Sequence, residues 1–183
     1  ELGHGIHQIL AYEQGLLLSD TPLILAETAS VFGEQLVFQS LLKSCSNKDE
    51  KKHILSNKIE DMINTVIRQI SFYDFEKKIH NKRRKTELTK SEISDIWLVS
   101  QKESLGDAFS LGEEYKNYWC YISHFIHSPF YVYSYAFGDS LVNSLFQVYQ
   151  NKPEGFEAVY IDLLKAGGSK NYKELIKMFN LDA

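Results

Sequence analysis

Glu1 and His4 form a Glu-x-x-His tetrapeptide at the start of the chain. This is the part of a His-Glu-x-x-His zinc motif that remains without its first histidine. In a helix, two histidines four positions apart lie on one face, and the glutamate between them can act as a general base on zinc-activated water. A catalytic zinc ion usually has three protein ligands and one open position. His4 is therefore a candidate zinc ligand and Glu1 a candidate general base, and the missing histidine would precede Glu1.

A longer set of motifs extends this signal along the chain. Glu1-Leu2-Gly3-His4 is followed by Ser19-Asp20-Thr21-Pro22 and by Ala26-Glu27-Thr28-Ala29-Ser30, and further segments lie at residues 122–125, 129–138 and 162–169. Together these segments closely resemble the oligoendopeptidase F family of thimet oligopeptidase-like zinc peptidases. The resemblance covers nearly the whole chain and fades only around residues 45–95.

The resemblance implies the remaining metal ligand. In that family the third zinc ligand is a glutamate on the next helix, in an Ala-Glu-x-Ala-Ser context, and Glu27 stands in that context here. The alternative for Glu27 is a buried carboxylate satisfied by hydrogen bonds. Burying a carboxylate without a partner is costly, and zinc is a suitable partner, which favours the ligand role. Glu34 is a candidate for orienting a ligand. His7 is either a histidine of the substrate cleft or a structural one.

The resemblance also implies donors for the tetrahedral oxyanion on an aromatic segment, which corresponds here to His124 through Tyr135. We expect His124 and Tyr135 to be the main donors to the transition state or the substrate backbone, with Tyr131 and Tyr133 next and His127 weaker. Positions 131, 133 and 135 cannot share one helical face, so at least one of these tyrosines should pack in the core. The Gly-Gly spacing of the thimet-type members is absent after the histidine, which leaves the tyrosine register open.

The hydrophobic pattern predicts an all-α fold. We expect helices over residues 1–13, from Pro22 to about Ser44, and over most of residues 47–84, where apolar residues recur every three or four positions without Gly or Pro. Thr89-Lys90-Ser91-Glu92 has the form of a capping box that opens a helix to about Leu105. Further helices are predicted from Pro129 to about Tyr149, over 154–166 and over 171–179, with the segment before Pro129 as a loop.

Composition limits the possible functions. The formal net charge of -4 argues against a general nucleic-acid binder, whose interface would be basic, and the run at 82–85 is better interpreted as a solvated helix end. No apolar run approaches the length of a membrane span. Two cysteines without metal-type spacing fit a reducing compartment, and the expected location is cytoplasmic. The 183 residues suit one domain.

The motifs therefore predict the C-terminal part, residues 1–183, of a helical zincin-type peptidase domain with a deep substrate channel. The implied activity is zinc-dependent internal cleavage of short unstructured peptides. Because the first histidine and the N-terminal portion lie outside this chain, we expect the 183-residue piece alone to be inactive and to bind zinc weakly. Two alternatives are a non-catalytic helical interaction module derived from a peptidase and, more remotely, an unrelated His-Glu-x-x-His hydrolase.

Overall fold

The computed structural model describes residues 2–152 and 154–182, which contain helices and turns but no strand. The predicted all-α class is confirmed. The α-helices are α1 (Leu2–Ala11), α2 (Thr28–Ser44), α3 (Lys48–Met62), α4 (Gln69–Arg83), α5 (Lys90–Leu105), α6 (His124–His127), α7 (Tyr133–Asn151), α8 (Phe156–Lys165) and α9 (Tyr172–Lys177). A π-helical segment (Ile63–Arg68) joins α3 to α4, and 3-10 turns span Tyr12–Gln14, Leu23–Leu25, Gly106–Ala108 and Glu113–Tyr121.

The chain divides into two compact units. The first unit is Glu1–Ser56 together with Phe137–Ala183, and the second is Asn57–Ala136. The boundaries fall inside α3 and α7. The first unit thus combines the two ends of the sequence, whereas the second is continuous.

An aromatic cluster forms the centre of the first unit. The ring of Phe32 on α2 contacts Phe146 and Tyr149 of α7 and stacks on Phe156, which begins α8. Leucines from several elements complete this core, namely Leu25, Leu141, Leu145, Leu163, Leu164 and Leu175. Burial of this apolar surface is the main force that holds α2, α7, α8 and α9 together.

A glycine turn after α8 supports the loop that leads from α1 to α2. The Gly168 backbone N–H donates to the Leu18 carbonyl at 2.7 Å. Gly167 has a φ of +50°, and a Cβ there would lie 2.4 Å from the same carbonyl oxygen. Only glycine fits a position that is both left-handed and this close to another backbone. The Gly-Gly-Ser motif at 167–169 therefore fixes the path of the chain toward Glu27.

The core of the second unit surrounds Trp97, which is fully buried between Phe72 and Phe75 of α4. Its indole N–H donates to the Tyr115 carbonyl at 3.0 Å, which attaches the Glu113–Tyr121 turn to α5. The predicted capping box at the start of α5 is present, with the Thr89 hydroxyl accepting from Glu92 N–H and the Glu92 carboxylate accepting from Thr89 N–H.

The prediction that a helix starts at Pro22 is wrong. Pro22 has an extended ψ of 141°, a 3-10 turn follows at Leu23–Leu25, and α2 begins only at Thr28. The reason is tertiary packing, because this turn buries Leu25 at 1% exposure and Thr28 at 0%. Glu27 consequently occupies the position just before the first helical residue of α2, not an interior turn.

The prediction for the segment around Pro129 is also wrong in two respects. Residues 124–127 form the short helix α6 instead of a loop, and α7 begins at Tyr133 instead of Pro129. Phe130 interrupts the helical path with a left-handed φ of +61°. Such a conformation is rare for an aromatic residue and requires support from its surroundings.

The apolar stripe of α1 is exposed in this chain. Leu2, Ile6 and Ile9 lie on the surface, and the buried residues of α1 are His7 and Ala11. The predicted helix over 47–84 is confirmed as a continuous path through α3, the π segment and α4, but its apolar residues before Phe72 are also largely exposed, notably Leu55, Ile59, Met62, Ile63, Ile67 and Ile70. Within the described residues, no helix is long and apolar enough to span a membrane.

Candidate active site

His4 is oriented by a backbone carbonyl from the next element of the first unit. Its Nδ1 lies 3.1 Å from the Ala26 carbonyl oxygen. A carbonyl oxygen can only accept a hydrogen bond, so Nδ1 carries the hydrogen. In the neutral ring Nε2 then keeps its lone pair, which is the arrangement typical of a metal-binding histidine whose other nitrogen is hydrogen-bonded.

Glu27 presents its carboxylate to that lone pair. The Oε2 atom of Glu27 lies 3.5 Å from Nε2 of His4, and Glu27 is only 7% exposed. Two ligands of one tetrahedral zinc ion, each about 2.05 Å from the metal, are separated by about 3.4 Å. The nitrogen and the oxygen are thus spaced as two of the ligands of a single metal ion would be.

Two glycines allow the backbones around this pair to approach closely. A Cβ on Gly3 would lie 2.4 Å from the Ser30 nitrogen, so Gly3 is where α1 crosses the start of α2. A Cβ on Gly138 would lie 2.8 Å from the Cβ of Glu27, which places α7 directly against the candidate ligand. The Tyr160 hydroxyl also reaches the Thr28 carbonyl at 3.4 Å. Glu27 is therefore confined from several sides within the first unit.

His7 is buried one turn beyond His4. It is 2% exposed and lines a cavity of about 190 Å³ together with His4, Gln8 and Asp20. Burial, together with the nearby His4 ring, lowers the pKa of His7 to about 4. Its buried Nδ1 has no hydrogen-bond partner in the part of the chain that the structure describes. His7 is buried, as expected of a structural histidine, and a role in the substrate cleft stays a prediction.

The roles of two further predicted residues stay predictions. Glu1, the candidate general base, lies outside the described residues. Glu34 is exposed on α2, so its role in orienting a ligand stays a prediction.

His124, Tyr131 and Tyr135 form a second cluster, within the second unit. The Tyr135 hydroxyl is hydrogen-bonded to Nε2 of His124 at 3.1 Å. The ring of Tyr131 stacks on His124 with a centroid distance of 4.9 Å and an angle of 13°. The two tyrosine rings contact each other edge to face. All three side chains are partly exposed, so they can serve as hydrogen-bond donors to a ligand.

Tyr133 and His127 lie apart from this cluster. Tyr133 packs edge-on against Tyr73 of α4, with ring centroids 5.7 Å apart, and His127 is exposed at the end of α6. Tyr131, Tyr133 and Tyr135 are all half-buried, so the expectation that at least one of them packs in the core is not confirmed.

A buried carboxylate that sequence reasoning did not single out supports the same segment. Glu76 on α4 is 2% exposed, and its Oε1 accepts the Phe130 backbone N–H at 2.9 Å. Burial raises the pKa of this carboxyl group. The sequence contains one signal for it, because Glu76 shares a helical face with Phe72, Phe75 and Ile79, where a charged residue is unexpected.

The full-length match to known proteins decides the family. The sequence model of Peptidase family M3 matches residues 1–183. The chain belongs to peptidase family M3.

Named relatives of this family M3 chain are oligopeptidases. The chain is 32% identical over its whole length to oligopeptidase PepF of Bacillus subtilis, covering 27% of that protein, and 31% identical to an oligoendopeptidase F homolog of Borreliella burgdorferi, covering 31% of it. The crystal structure of oligoendopeptidase-F from Enterococcus faecium matches 99% of the chain with a TM-score of 0.78 and 27% identity, and the match covers 33% of that chain. The resemblance to oligoendopeptidase F is thus confirmed, for a chain that spans about 30% of the length of these relatives.

We predict that His7 makes this family M3 chain sensitive to mild acid. An unfolded histidine titrates near pH 6.5, whereas folded His7 does so near pH 4. Between these values only the unfolded chain binds the proton, so the free energy of unfolding falls as the pH drops, by about 1.4 kcal/mol per pH unit. Urea unfolding between pH 7 and 4 should show a smaller loss in His7→Gln than in the natural sequence. His127→Gln, at an exposed position, should keep the full loss; equal slopes in all three chains would contradict the assignment.

We also predict that Gly138→Ala destabilises the fold around Glu27. The added methyl group would meet the Cβ of Glu27 at 2.8 Å, which α7 and Glu27 can relieve only by moving apart. Overpacking of this kind costs about 1–3 kcal/mol of unfolding free energy. Gly33→Ala is the matched control, because Gly33 also lies in a helix but its Cβ would meet no atom within 4 Å. Chemical denaturation should show a loss for Gly138→Ala and a small gain for Gly33→Ala.

Proposed function

We propose that the full-length protein is a zinc-dependent endopeptidase that hydrolyses short, unstructured peptides. The observation that carries this proposal is the His4–Glu27 pair, with Nε2 and Oε2 3.5 Å apart in a family M3 chain. The names of the relatives, oligopeptidase PepF and oligoendopeptidase F, support oligopeptides as the substrate class.

The residues present fit a zinc ion. An imidazole nitrogen and a carboxylate oxygen are common zinc ligands, and the hydrogen bond from His4 Nδ1 to Ala26 leaves the correct nitrogen free to bind. The described residues contain no complete group of three ligands. The third ligand of the proposed His2Glu set is a histidine that precedes Glu1, outside this chain. His4 and Glu27 would hold the metal together with that residue.

A zinc ion held by these residues would supply positive charge that lowers the pKa of a water molecule and polarises the scissile carbonyl group. Glu1 would accept a proton from the attacking water and pass it to the leaving amine. His124 and Tyr135 donate hydrogen bonds to the oxyanion that develops on the substrate, and Tyr131 holds the His124 ring by stacking. Tyr133 contributes through its packing on Tyr73.

We further propose that residues 1–183 are the C-terminal part of the helical catalytic domain, whose N-terminal portion is their partner in the full-length protein. The exposed apolar residues of α1, and separately those of the helix through residues 55–70, support this, because exposed apolar surface commonly marks an interface. A cytoplasmic location is part of the proposal and is supported by Cys45 and Cys120, which are both free thiols.

Cleavage of a quenched fluorescent oligopeptide by the full-length gene product tests the proposal. We expect activity that a chelator removes and added zinc restores. Replacing Glu1 by Gln should lower kcat by about 10²- to 10⁴-fold, because the general base is lost. The exposed Glu60→Gln on α3 is the matched control and should retain full activity. A folded, zinc-loaded protein without activity would instead favour a non-catalytic helical module.

The 183-residue chain alone should cleave no peptide under the same conditions. It supplies only two of the three proposed zinc ligands, so its zinc affinity, measured by competition with a chelating dye, should be far weaker than that of the full-length protein. Chelator-sensitive cleavage by the isolated chain would contradict the proposed ligand set.

A further inference from the structure

The segment before α7 is held by side chains of α4. The ring of Phe130 contacts the rings of two α4 residues. Its centroid lies 6.0 Å from that of Tyr73 and 4.9 Å from that of His80. Glu76 lies between these two positions on the helix and accepts the Phe130 backbone N–H at 2.9 Å. Three α4 residues thus hold Phe130, two through contacts with its ring and one through a hydrogen bond to its backbone.

These three contacts support a backbone conformation that is unfavourable for Phe130 in isolation. Its φ of +61° lies in the left-handed region, which is unfavourable for a residue with a bulky side chain. A residue in this conformation changes the direction of the chain sharply, and this change sets the direction of the next side chain, that of Tyr131. The hydrogen bond to Glu76 is the polar interaction that holds this backbone amide.

The residue that follows is Tyr131, which stacks on His124. Val132, on its other side, is fully buried in the Trp97 core, and the Ser134 hydroxyl donates to the Tyr131 carbonyl at 2.7 Å. Tyr131 is therefore fixed before and after its own position, while its ring stays partly exposed against His124. A displacement of the Phe130 backbone would therefore act on the residue whose ring stacks on His124.

A contribution to stability does not by itself explain why a carboxylate is buried at position 76. Its Oε1 accepts one hydrogen bond, but the buried Oε2 has no partner among the described residues. A buried oxygen without a partner costs free energy, and an apolar side chain of the same size would avoid that cost. Buried polar atoms without a partner, which break the usual rules of packing, are concentrated at functional positions.

We propose that Glu76 is a positioning residue of the active site, which fixes the Phe130 backbone and thereby holds Tyr131 where its ring keeps the stacked His124 in the orientation needed to donate to the oxyanion. This role rests on the proposed peptidase function. It requires the acceptor oxygen at the position of Oε1 and not the negative charge, because the group it meets is a neutral amide.

Two substitutions separate the acceptor from the rest of the side chain. Glu76→Gln keeps an oxygen that can accept the Phe130 N–H, whereas Glu76→Met has a similar size but no such acceptor. Lys77→Met, at the neighbouring exposed position of α4, is the matched control. Phe130→Ala removes the ring contacts with Tyr73 and His80 and leaves the Glu76 side chain unchanged.

Steady-state kinetics of the full-length protein provide the first readout. We expect Glu76→Met to lower kcat about tenfold or more with KM changed less than about threefold, because the misplaced donors act in the transition state. Glu76→Gln and Lys77→Met should stay within about threefold of the natural protein in both constants. Equal defects in Glu76→Gln and Glu76→Met, or full kcat in Glu76→Met, would overturn the proposal.

Histidine NMR provides a second readout that does not depend on activity. In protein labelled at the histidine ring carbons, the His124 resonance, assigned with His124→Asn, reports the ring current of the stacked Tyr131. It should move in Glu76→Met and in Phe130→Ala and return to its original position in Glu76→Gln. An unmoved His124 resonance in both folded variants would overturn the positioning role even in an active enzyme. If the natural protein is inactive, the peptidase proposal fails, and the same spectra still decide whether Glu76 positions His124.

Discussion

A carboxylate buried in a small space between helices is the constraint on which the first unit depends. Glu27 is 7% exposed, and a buried carboxylate without a cation or hydrogen-bond donors is strongly unfavourable. Its environment is therefore not interchangeable with an apolar core. The backbone of α7 reaches it at Gly138, α1 approaches α2 at Gly3, and the Gly167–Gly168 turn sets the loop that delivers it. These glycines make the confinement possible because each removes a side chain where two backbones meet.

The aromatic segment of the second unit solves a different problem. In the proposed reaction, its donors must stay partly exposed to reach the substrate and must nevertheless keep one orientation. Anchored and partly exposed residues alternate along this segment. Phe130 and Val132 are held by packing, and Tyr131 between them faces His124. The orientation of Tyr131 thus comes from the contacts of its two neighbours in sequence and not from burial of the tyrosine itself. Preorganised donors of this kind need no reorganisation during a reaction.

Much of this arrangement could be predicted from the sequence. The all-α class, the capping box at Thr89 and the pairing of His4 with Glu27 follow from local patterns or from matched motifs. The start of α2 could not be predicted, because burial of Leu25 and Thr28 overrides the helix-start signal at Pro22. The left-handed Phe130 and the role of Glu76 also depend on residues that are distant along the chain. Only the unexpected charge on the apolar face of α4 hinted at the latter.

The two-segment construction of the first unit has a consequence for the order of events during synthesis. About 110 residues separate Glu27 from Gly138, the position where α7 packs against it. At typical translation rates this interval takes about 6 to 22 s. The second unit, which is continuous and rich in contacts between neighbouring helices, can form in the meantime. His4 and Glu27 leave the ribosome before the second unit, yet their surroundings are completed only after it. The two proposed metal ligands would therefore wait for α7 before their site is complete.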